Sequence, residues 1–324
     1  MTSPHRFDQP NSTWNVAVES GDHGDPFCCR TEWQLAFHEA FAPNRDLCVT
    51  QREGSLNAFA LRTNNKSVTL FEPIESSWMF GCPLLGPNAI PMLSELLDSH
   101  PAASVLLSGM DIDDSRTEQL LQTFGDRYEI AHVDSTTACR ASLDGGLDGY
   151  LSRRSAKHRR GIRNASRRVR ESGVSFERHA PSTQAEADAV YARIIAIEER
   201  SWKGIGRCGM NKPPSLQFYL GMLRRMAASA CGRVMFARQN DTDVGFIFGG
   251  LCGPNTEGNI YRGQQFSFAD NWRKASLGNV LQLEQLSWLC EEQVARYDMG
   301  PVMDYKHHWT EIKTRIDAIA MSPN

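Results

Sequence analysis

The order of hydrophobic periodicities after residue 173 most constrains the fold of this chain. A strand-like run at Val174–Arg178 precedes two predicted amphipathic helices, Ser182–Arg200 and Ser215–Ala230, in which apolar residues recur three and four positions apart. Turn-forming residues then separate three strand-like runs and predict an antiparallel meander: Arg233–Arg238, Val244–Leu251 and Asn259–Phe266. The remaining runs predict a helix, a strand, a helix and a strand: Val280–Val294, Arg296–Met299, Tyr305–Arg315 and Ile316–Met321. The order β-α-α-β-β-β-α-β-α-β predicts an α/β (α+β) fold with a mixed sheet.

The N-terminal half repeats this order more faintly, beginning with a strand near Asn15–Glu19 and a helix at Glu32–Phe41. Further strands are predicted at Leu47–Thr50, Leu56–Leu61, Ser67–Phe71, Ser104–Ser108, Arg127–His132 and Thr137–Ser142, and further helices at Met92–Ser99 and Ser115–Phe124. The 324 residues exceed the usual size of one domain, and Gly145, Gly146 and Gly149 mark a boundary. We therefore expect two domains, 1–148 and 149–324.

Composition argues against several classes of protein. Hydrophobic residues make up 41% of the chain, which suffices for packed cores. The longest apolar runs are far shorter than the roughly 20 residues that cross a bilayer. The nine cysteines contain no C-x-x-C pair, which predicts reduced thiols and no metal site. Because residues 1–15 are polar and unlike a secretion signal, we expect a cytoplasmic protein without a membrane span.

Basic residues crowd positions 153–170, although the net charge of the chain is −3. Ile162, Ala165 and Val169 give this segment an apolar stripe, so we predict a basic helix over 150–172. Three uses fit such a helix: a solvated connection between domains, a dock for the phosphates of CoA or tRNA, and duplex binding. The arginines are accompanied by no base-reading motif, which disfavours DNA as a partner.

Four segments of the C-terminal half carry a family resemblance. They are Tyr150–Ser155, Glu198–Gly204 (E-E-R-S-W-K-G), Ser276–Asn279, and Tyr297–Gly300 with the following Asp304–Lys306 and Trp309 (Y-D-x-G…Y-K-x-x-W). In order and spacing they resemble the CelD-like and FemAB-related branch of the GNAT acyltransferase superfamily. This resemblance implies a bacterial-type enzyme of two tandem GNAT-like domains, in a FemAB-like architecture, with its working site in the C-terminal domain.

The resemblance also implies a donor, either acyl-CoA or acetyl-CoA or an aminoacyl-tRNA. The loop Ser276–Asn279 lies where a helix start would meet the donor's phosphates. Ser276 can cap that helix, Gly278 leaves room for phosphate oxygens, and Asn279 completes the loop. Arg273 and Lys274 supply positive charge just upstream. Because the loop departs from the (Q/R)-x-x-G-x-(G/A) form of acetyl-CoA enzymes, an ordinary helix cap remains the alternative.

Acyl transfer to an amine needs a base for the amine and an acid for the leaving group. Glu198, at the end of the first helix, is the candidate base, and a solvated carboxylate is the alternative. Tyr305, beyond the strand that ends in Asp298, is the candidate acid. A tyrosine packed on Trp309 is the alternative there.

Five residues are candidates for substrate binding: Trp202, Lys203, Tyr261, Asp298 and Lys306. Lys203 and Lys306 can hold an anionic part of the donor or acceptor, unless both are merely exposed charges. Trp202 can stack on a substrate, and Tyr261 lies on the strand predicted to face the donor. Each of these two aromatic residues can instead belong to the core.

We therefore expect an N-acyltransferase that moves an acyl group from acyl-CoA to a small-molecule or peptide amine by direct attack. Two alternatives stay open. One is an aminoacyl-tRNA-dependent transferase acting on a peptide or cell-wall precursor. The other is a non-catalytic GNAT-like accessory protein in polysaccharide or envelope biosynthesis.

Overall fold

The chain forms two compact units, one of Met1–Ala138 with Thr314–Asn324 and one of Cys139–Lys313. The structure, a computed structural model, describes residue 7 and residues 12–21, 23–64, 67–110, 115–255 and 258–324. Most of the polar N-terminal segment considered above therefore lies outside the described residues. Thr314–Asn324, predicted to belong to the C-terminal domain, form a strand that pairs with a strand of the first unit.

The first unit is a mixed sheet with flanking helices. Its strands are β1 (Leu47–Arg52), β2 (Ser55–Asn64), β3 (Ser67–Pro73), β4 (Leu84–Leu85), β5 (Ser104–Met110), β6 (Tyr128–Ser142) up to Ala138, and β12 (Ile312–Pro323) from Thr314. Its helices are α1 (Thr13–Glu19), α2 (Pro26–Cys29), α3 (Thr31–Phe41), α4 (Ala89–Asp98) and α5 (Ser115–Phe124). The strands run in the order β1-β2-β3-β5-β12-β6 with β4 beside β2, and β3 is parallel to β5.

Two predictions for this unit were wrong. The segment predicted as a strand near Asn15–Glu19 belongs to helix α1, because Ser12 caps it by accepting the N–H of Asn15 at 3.3 Å. The buried Trp14, Ala17 and Val18 then fall at helical spacing. The two strands predicted between residues 127 and 142 are the single strand β6, since Asp134 and Ser135 continue it without a turn.

The second unit contains the predicted meander. Its strands are β7 (Val174–His179), β8 (Gly232–Gln239), β9 (Thr242–Asn255), β10 (Gly258–Phe268) and β11 (Arg296–Pro301). Its helices are α6 (Gly146–Ser152), α7 (Ala156–Glu171), α8 (Gln184–Glu198), α9 (Trp202–Ile205), α10 (Ser215–Ala228) and α11 (Leu277–Glu291), with 3-10 helices at Asp270–Ala275 and Asp304–His308. The strand order is β11-β10-β9-β8-β7, antiparallel except for the parallel pair β10 and β11. The predicted α/β class with a mixed sheet is confirmed.

Helices cover both faces of this second sheet. On one face, α7 and α11 share a core with Met235 of β8 and Ile247 of β9. On the other face, α8 places the guanidinium of Arg193 3.9 Å from the ring centroid of Phe236, and α10 packs Tyr219 against Phe248. Because successive side chains of a strand alternate, these two helix pairs lie on opposite faces.

Two further predictions fail in this unit. The basic segment 150–172 is two helices, because α6 ends at Ser152 and Ser155 caps α7 by accepting the N–H of His158 at 3.2 Å. The helix predicted at Tyr305–Arg315 is the short 3-10 helix Asp304–His308 followed by β12. The alternating β-branched residues Ile312, Thr314 and Ile316 favour a strand at that point.

Candidate active site

The parallel strands β10 and β11 diverge and leave an opening in the sheet. Their register runs from Ile260 opposite Arg296 to Arg262 opposite Asp298, although β10 continues to Phe268. The pairing of β10 with β9 is shifted between Gly263 and Gln265, which marks a bulge beside the opening. A cavity of about 40 Å³ lies there, and we call it the V cavity. Its lining includes Gly263, Gln265, Phe266, Gln282, Tyr297, Tyr305 and Lys306.

Of the two predicted substrate-binding lysines, Lys306 lines this cavity and Lys203 contacts two of its lining residues. Lys203 Nζ donates to Gln265 Oε1 at 3.1 Å and to the Phe266 carbonyl at 2.9 Å. Lys306 is 7% exposed and its Nζ donates to the Pro301 carbonyl at 2.7 Å. Burial lowers the pKa of both ammonium groups, and burial together with nearby Arg262 brings the pKa of Lys306 to about 8.

Tyr305, the candidate acid, also borders the V cavity. Its ring packs edge-on against Phe266, with the two ring centroids 5.3 Å apart. This contact differs from the packing on Trp309 that was considered as the alternative. Although 37% of the side chain is exposed, desolvation raises the pKa of its hydroxyl group above the usual value. The phenol therefore stays protonated at neutral pH, as a proton donor must.

Glu198 lies inside its own loop. It is 1% exposed, and its carboxylate accepts the N–H of Met210 at 3.2 Å. The Ser201 hydroxyl lies 3.2 Å from the same carboxylate but makes a shorter hydrogen bond, at 2.8 Å, to the Glu198 carbonyl. Ser201 also caps α9 by accepting the N–H groups of Lys203 and Gly204. The carboxylate therefore holds the 198–210 loop together, and with it Lys203. Glu198 is therefore buried and is not the solvated carboxylate that was considered as the alternative.

Tyr261 and Asp298 lie in the core and not at the V cavity. Tyr261 is 0% exposed, and its ring centroid is 5.2 Å from that of Tyr297. Asp298 is 3% exposed, accepts from Arg296 Nε at 2.8 Å, and lies 3.7 Å from Arg140 Nε. Trp202, by contrast, is 46% exposed, so it does not belong to the core.

A larger cavity of about 410 Å³ lies between α7 and the start of α11, and we call it the α7–α11 cavity. Lys157 and Arg168 of α7 line it, and neither has an ion-pair partner among the described residues. His158 and His308 line it as well, and burial followed by the proximity of His308 lowers the pKa of His158. Since lowering keeps His158 neutral at pH 7, the positive charge of the cavity comes from Lys157 and Arg168.

The predicted phosphate loop borders this cavity through Ser276 and Asn279. Ser276 lies in the left-handed region at φ 61°, and its side chain makes no capping hydrogen bond, so the predicted cap was wrong. Gly278 is buried: a Cβ there would lie 2.8 Å from Phe268 Cε1, so close packing requires the glycine. Arg273 pairs with Asp270 at 3.0 Å in the preceding 3-10 helix, where Lys274 follows it. Leu277 and Gly278 open α11, where backbone N–H groups lack intrahelical acceptors.

Several cavity residues were missed by the sequence analysis: Gln265, Gln282 and Tyr297 at the V cavity, and Lys157, His158 and Arg168 at the other. Lys157, His158 and Arg168 all belong to the basic segment. Assigning the residues of that segment to helix faces could have identified these three. In the part of the chain that the structure describes, no group of His, Cys, Asp and Glu is arranged to hold a metal ion. No helix among those residues is long and apolar enough to span a membrane.

A β-α-α-β-β-β-α-β unit with diverging parallel strands and a cavity between them is the arrangement of a GNAT acyltransferase. Residues 156–307 match the family model described as acetyltransferase (GNAT) domain. The second unit therefore carries a GNAT acetyltransferase domain, which confirms the predicted acyltransferase of the GNAT superfamily. No curated protein matches the chain in sequence.

Solved structures share the two-unit fold. FemX is 12% identical with a TM-score of 0.62, and the match covers 94% of each chain. The C-terminal domain (DUF2156) of a putative lysylphosphatidylglycerol synthetase from Agrobacterium fabrum is 11% identical with a TM-score of 0.58, covering 95% of this chain and 90% of that one. L-PGS from Bacillus licheniformis is 14% identical with a TM-score of 0.56, covering 93% of each. At these identities the likeness shows the FemX-like fold alone.

Proposed function

We propose that this acyltransferase moves an acyl group from acyl-CoA to an amine by direct attack. The observation that carries the proposal is that one short element borders both cavities. The 3-10 helix Asp304–His308 contributes Tyr305 and Lys306 to the V cavity and His308 to the α7–α11 cavity. A donor whose phosphates and acyl group are joined by a long arm can therefore occupy both cavities at once.

In this proposal the α7–α11 cavity takes the phosphates. Lys157 and Arg168 supply the charge, and the first N–H groups of α11 supply hydrogen-bond donors at the positive end of the helix dipole. The arm then follows β10 beyond Arg262, where the strand has no register with β11 among the described residues. An extended arm can add to such an edge as a strand does.

The reacting carbonyl would lie in the V cavity. The Lys306 ammonium is placed to stabilise the negative charge that develops on the carbonyl oxygen. The amine nitrogen bonds to the carbonyl carbon, the carbon–sulfur bond breaks, and the amine's surplus proton passes to solvent. Tyr305 gives its proton to the departing thiolate and is reprotonated from the solvent, which received the proton of the amine. Glu198 positions the 198–210 loop in this scheme and touches neither reactant.

Calorimetry with CoA tests the donor. Lys157→Ala and Arg168→Ala should each weaken CoA binding about tenfold, because each removes one charge-assisted contact to phosphate. Arg163→Ala is the matched control, since Arg163 lies exposed on the same helix and does not line the cavity. If CoA releases no heat with the unmodified chain, the proposal is wrong.

A second candidate donor is aminoacyl-tRNA, and the exposed side of α7 favours it. Lys157, Arg160, Arg163 and Arg168 have no ion-pair partner among the described residues, and Arg160 and Arg163 lie outside the cavity. Phosphate contacts spread along a helix suit a nucleic acid better than a single cofactor. Filter binding of aminoacyl-tRNA separates the donors: Arg163→Ala should weaken tRNA binding and leave CoA binding unchanged.

A further inference from the structure

Exposed apolar side chains are concentrated beside the V cavity. Nine large apolar side chains are exposed among the described residues, and five of them occupy two short segments of the second unit. We call these five the apolar rim: Trp202 and Ile205 of α9, and Val302, Met303 and Tyr305. Ile205 is 67% exposed and Met303 is 54% exposed. A contiguous patch of exposed apolar side chains on a protein often marks a binding site.

Phe266 connects the two segments of the apolar rim. Lys203, which follows Trp202, has its Nζ 5.8 Å from the centroid of the Phe266 ring. Tyr305 packs on the same ring. The two segments of the rim therefore meet at Phe266, which lines the V cavity together with Lys306, and the Lys203 ammonium bonds to two lining residues, Gln265 and Phe266.

Only the α9 part of the rim lies on the side away from the proposed phosphate site, because Val302, Met303 and Tyr305 lie in or next to the 3-10 helix that borders both cavities. Helix α9 connects α8 to α10, whose face of the sheet is opposite to that of α7 and α11. A donor anchored at the α7–α11 cavity leaves this second side to the acceptor. The V cavity is much smaller than the α7–α11 cavity, about 40 Å³ against about 410 Å³. A bulky apolar part of the acceptor is therefore expected to lie on the rim.

From this juxtaposition we infer that the acceptor is an amine carrying both an anionic group and an apolar side chain, as an apolar α-amino acid does. The carboxylate of such an acceptor pairs with Lys203 or Lys306, and its side chain covers Ile205 and Met303. The ammonium groups of Lys306, which lines the V cavity, and of Lys203, which contacts its lining, oppose a polycationic acceptor by like-charge repulsion. This inference rests on the proposed function for the source of the acyl group, but acceptor binding can be measured without a donor.

The first test compares acceptors that differ by one feature each. Phenylalanine has the charge and the side chain, glycine lacks the side chain, and phenylalaninamide lacks the carboxylate. With acetyl-CoA as donor and release of the CoA thiol as readout, kcat/KM for phenylalanine should exceed that for each of the other two at least about tenfold. Equal values across the three amines would overturn the inference.

The second test uses calorimetry of phenylalanine binding in the absence of donor. Ile205→Ser and Met303→Ser should each raise Kd about three- to tenfold, since each removes apolar contact area at an exposed site. Leu121→Ser is the matched control, because Leu121 is 52% exposed in the first unit, and it should leave Kd unchanged. If CoA does not bind while phenylalanine binding shows this pattern, the donor proposal fails and the acceptor inference stands.

A lipid surface is the other occupant that an apolar rim can have. Sedimentation with vesicles of phosphatidylcholine and phosphatidylglycerol decides between the two. Vesicle binding that Ile205→Ser abolishes, together with unchanged phenylalanine binding, would assign the rim to a membrane and overturn the inference. Absence of vesicle binding together with the loss of phenylalanine affinity supports it.

Discussion

Replacing Glu198 with glutamine separates a structural carboxylate from a catalytic base. The carboxylate accepts the Met210 N–H at 3.2 Å and shares the Ser201 hydroxyl with the Glu198 carbonyl, in a site with 1% exposure. A hydrogen bond to a charged group contributes about 1.5–3 kcal/mol, and glutamine can keep one acceptor oxygen in place. We expect Glu198→Gln to lower the free energy of unfolding by about 1–3 kcal/mol, while Glu198→Ala, which also leaves a cavity, lowers it by about 3–5 kcal/mol.

Thermal unfolding and steady-state kinetics together provide the assay. For units of this size, each kcal/mol shifts Tm by about 2–4 °C, so Glu198→Gln should show a clear decrease. Its kcat should fall no more than a fewfold, through the indirect effect on Lys203. Glu199→Gln is the control, because Glu199 is the exposed neighbour and its replacement should change neither quantity. A kcat lower by a factor of about 100 or more at an unchanged Tm would refute the reasoning and restore Glu198 as a base.

Three further predictions concern the V cavity and the start of α11. Lys306→Met should stabilise the fold at pH 7 by up to about 3 kcal/mol, because burial lowers the Lys306 pKa from 10.5 to about 8. The folded side chain is already neutral above pH 8, so denaturation at several pH values should show this gain in stability vanish between pH 8 and 10.5. In the unmodified chain, a requirement for the Lys306 cation predicts that kcat falls as the pH rises through about 8. Tyr305→Phe should lower kcat about 10- to 100-fold with little change in CoA affinity, and equal rates would exclude the phenol as proton donor. Gly278→Ala should lower the free energy of unfolding by about 1–2 kcal/mol through contact with Phe268 and leave CoA affinity within twofold. Loss of CoA affinity at unchanged stability would instead restore the role of Gly278 in phosphate binding.

The sequence was most informative where long periodic segments follow one another. Helices α8, α10 and α11 and strands β7 to β10 were all predicted in type, because turn-forming residues separate runs of regular apolar spacing. It was least informative for short segments such as Asn15–Glu19, whose apolar residues fit both a strand and a helix. There a single side-chain cap, at Ser12, decided the outcome.

The site was predictable only in part, for a related reason. Lys203, Tyr305 and Lys306 stood out in short motifs, and the structure brings them together at the V cavity. Tyr261 and Asp298 stood out equally but face the core, because a strand's alternation does not reveal which side is filled by neighbouring helices. The α7–α11 cavity combines segments more than 100 positions apart, so only packing could reveal it.

The return of Thr314–Asn324 to the first unit has a consequence for synthesis on the ribosome. Strand β12 pairs with β5, which leaves the ribosome roughly 200 residues earlier. At about 5–20 residues per second, the nascent first unit must wait on the order of 10–40 s for its missing strand. During that interval the edges of β5 and β6 that β12 later fills are open to pairing with wrong strands.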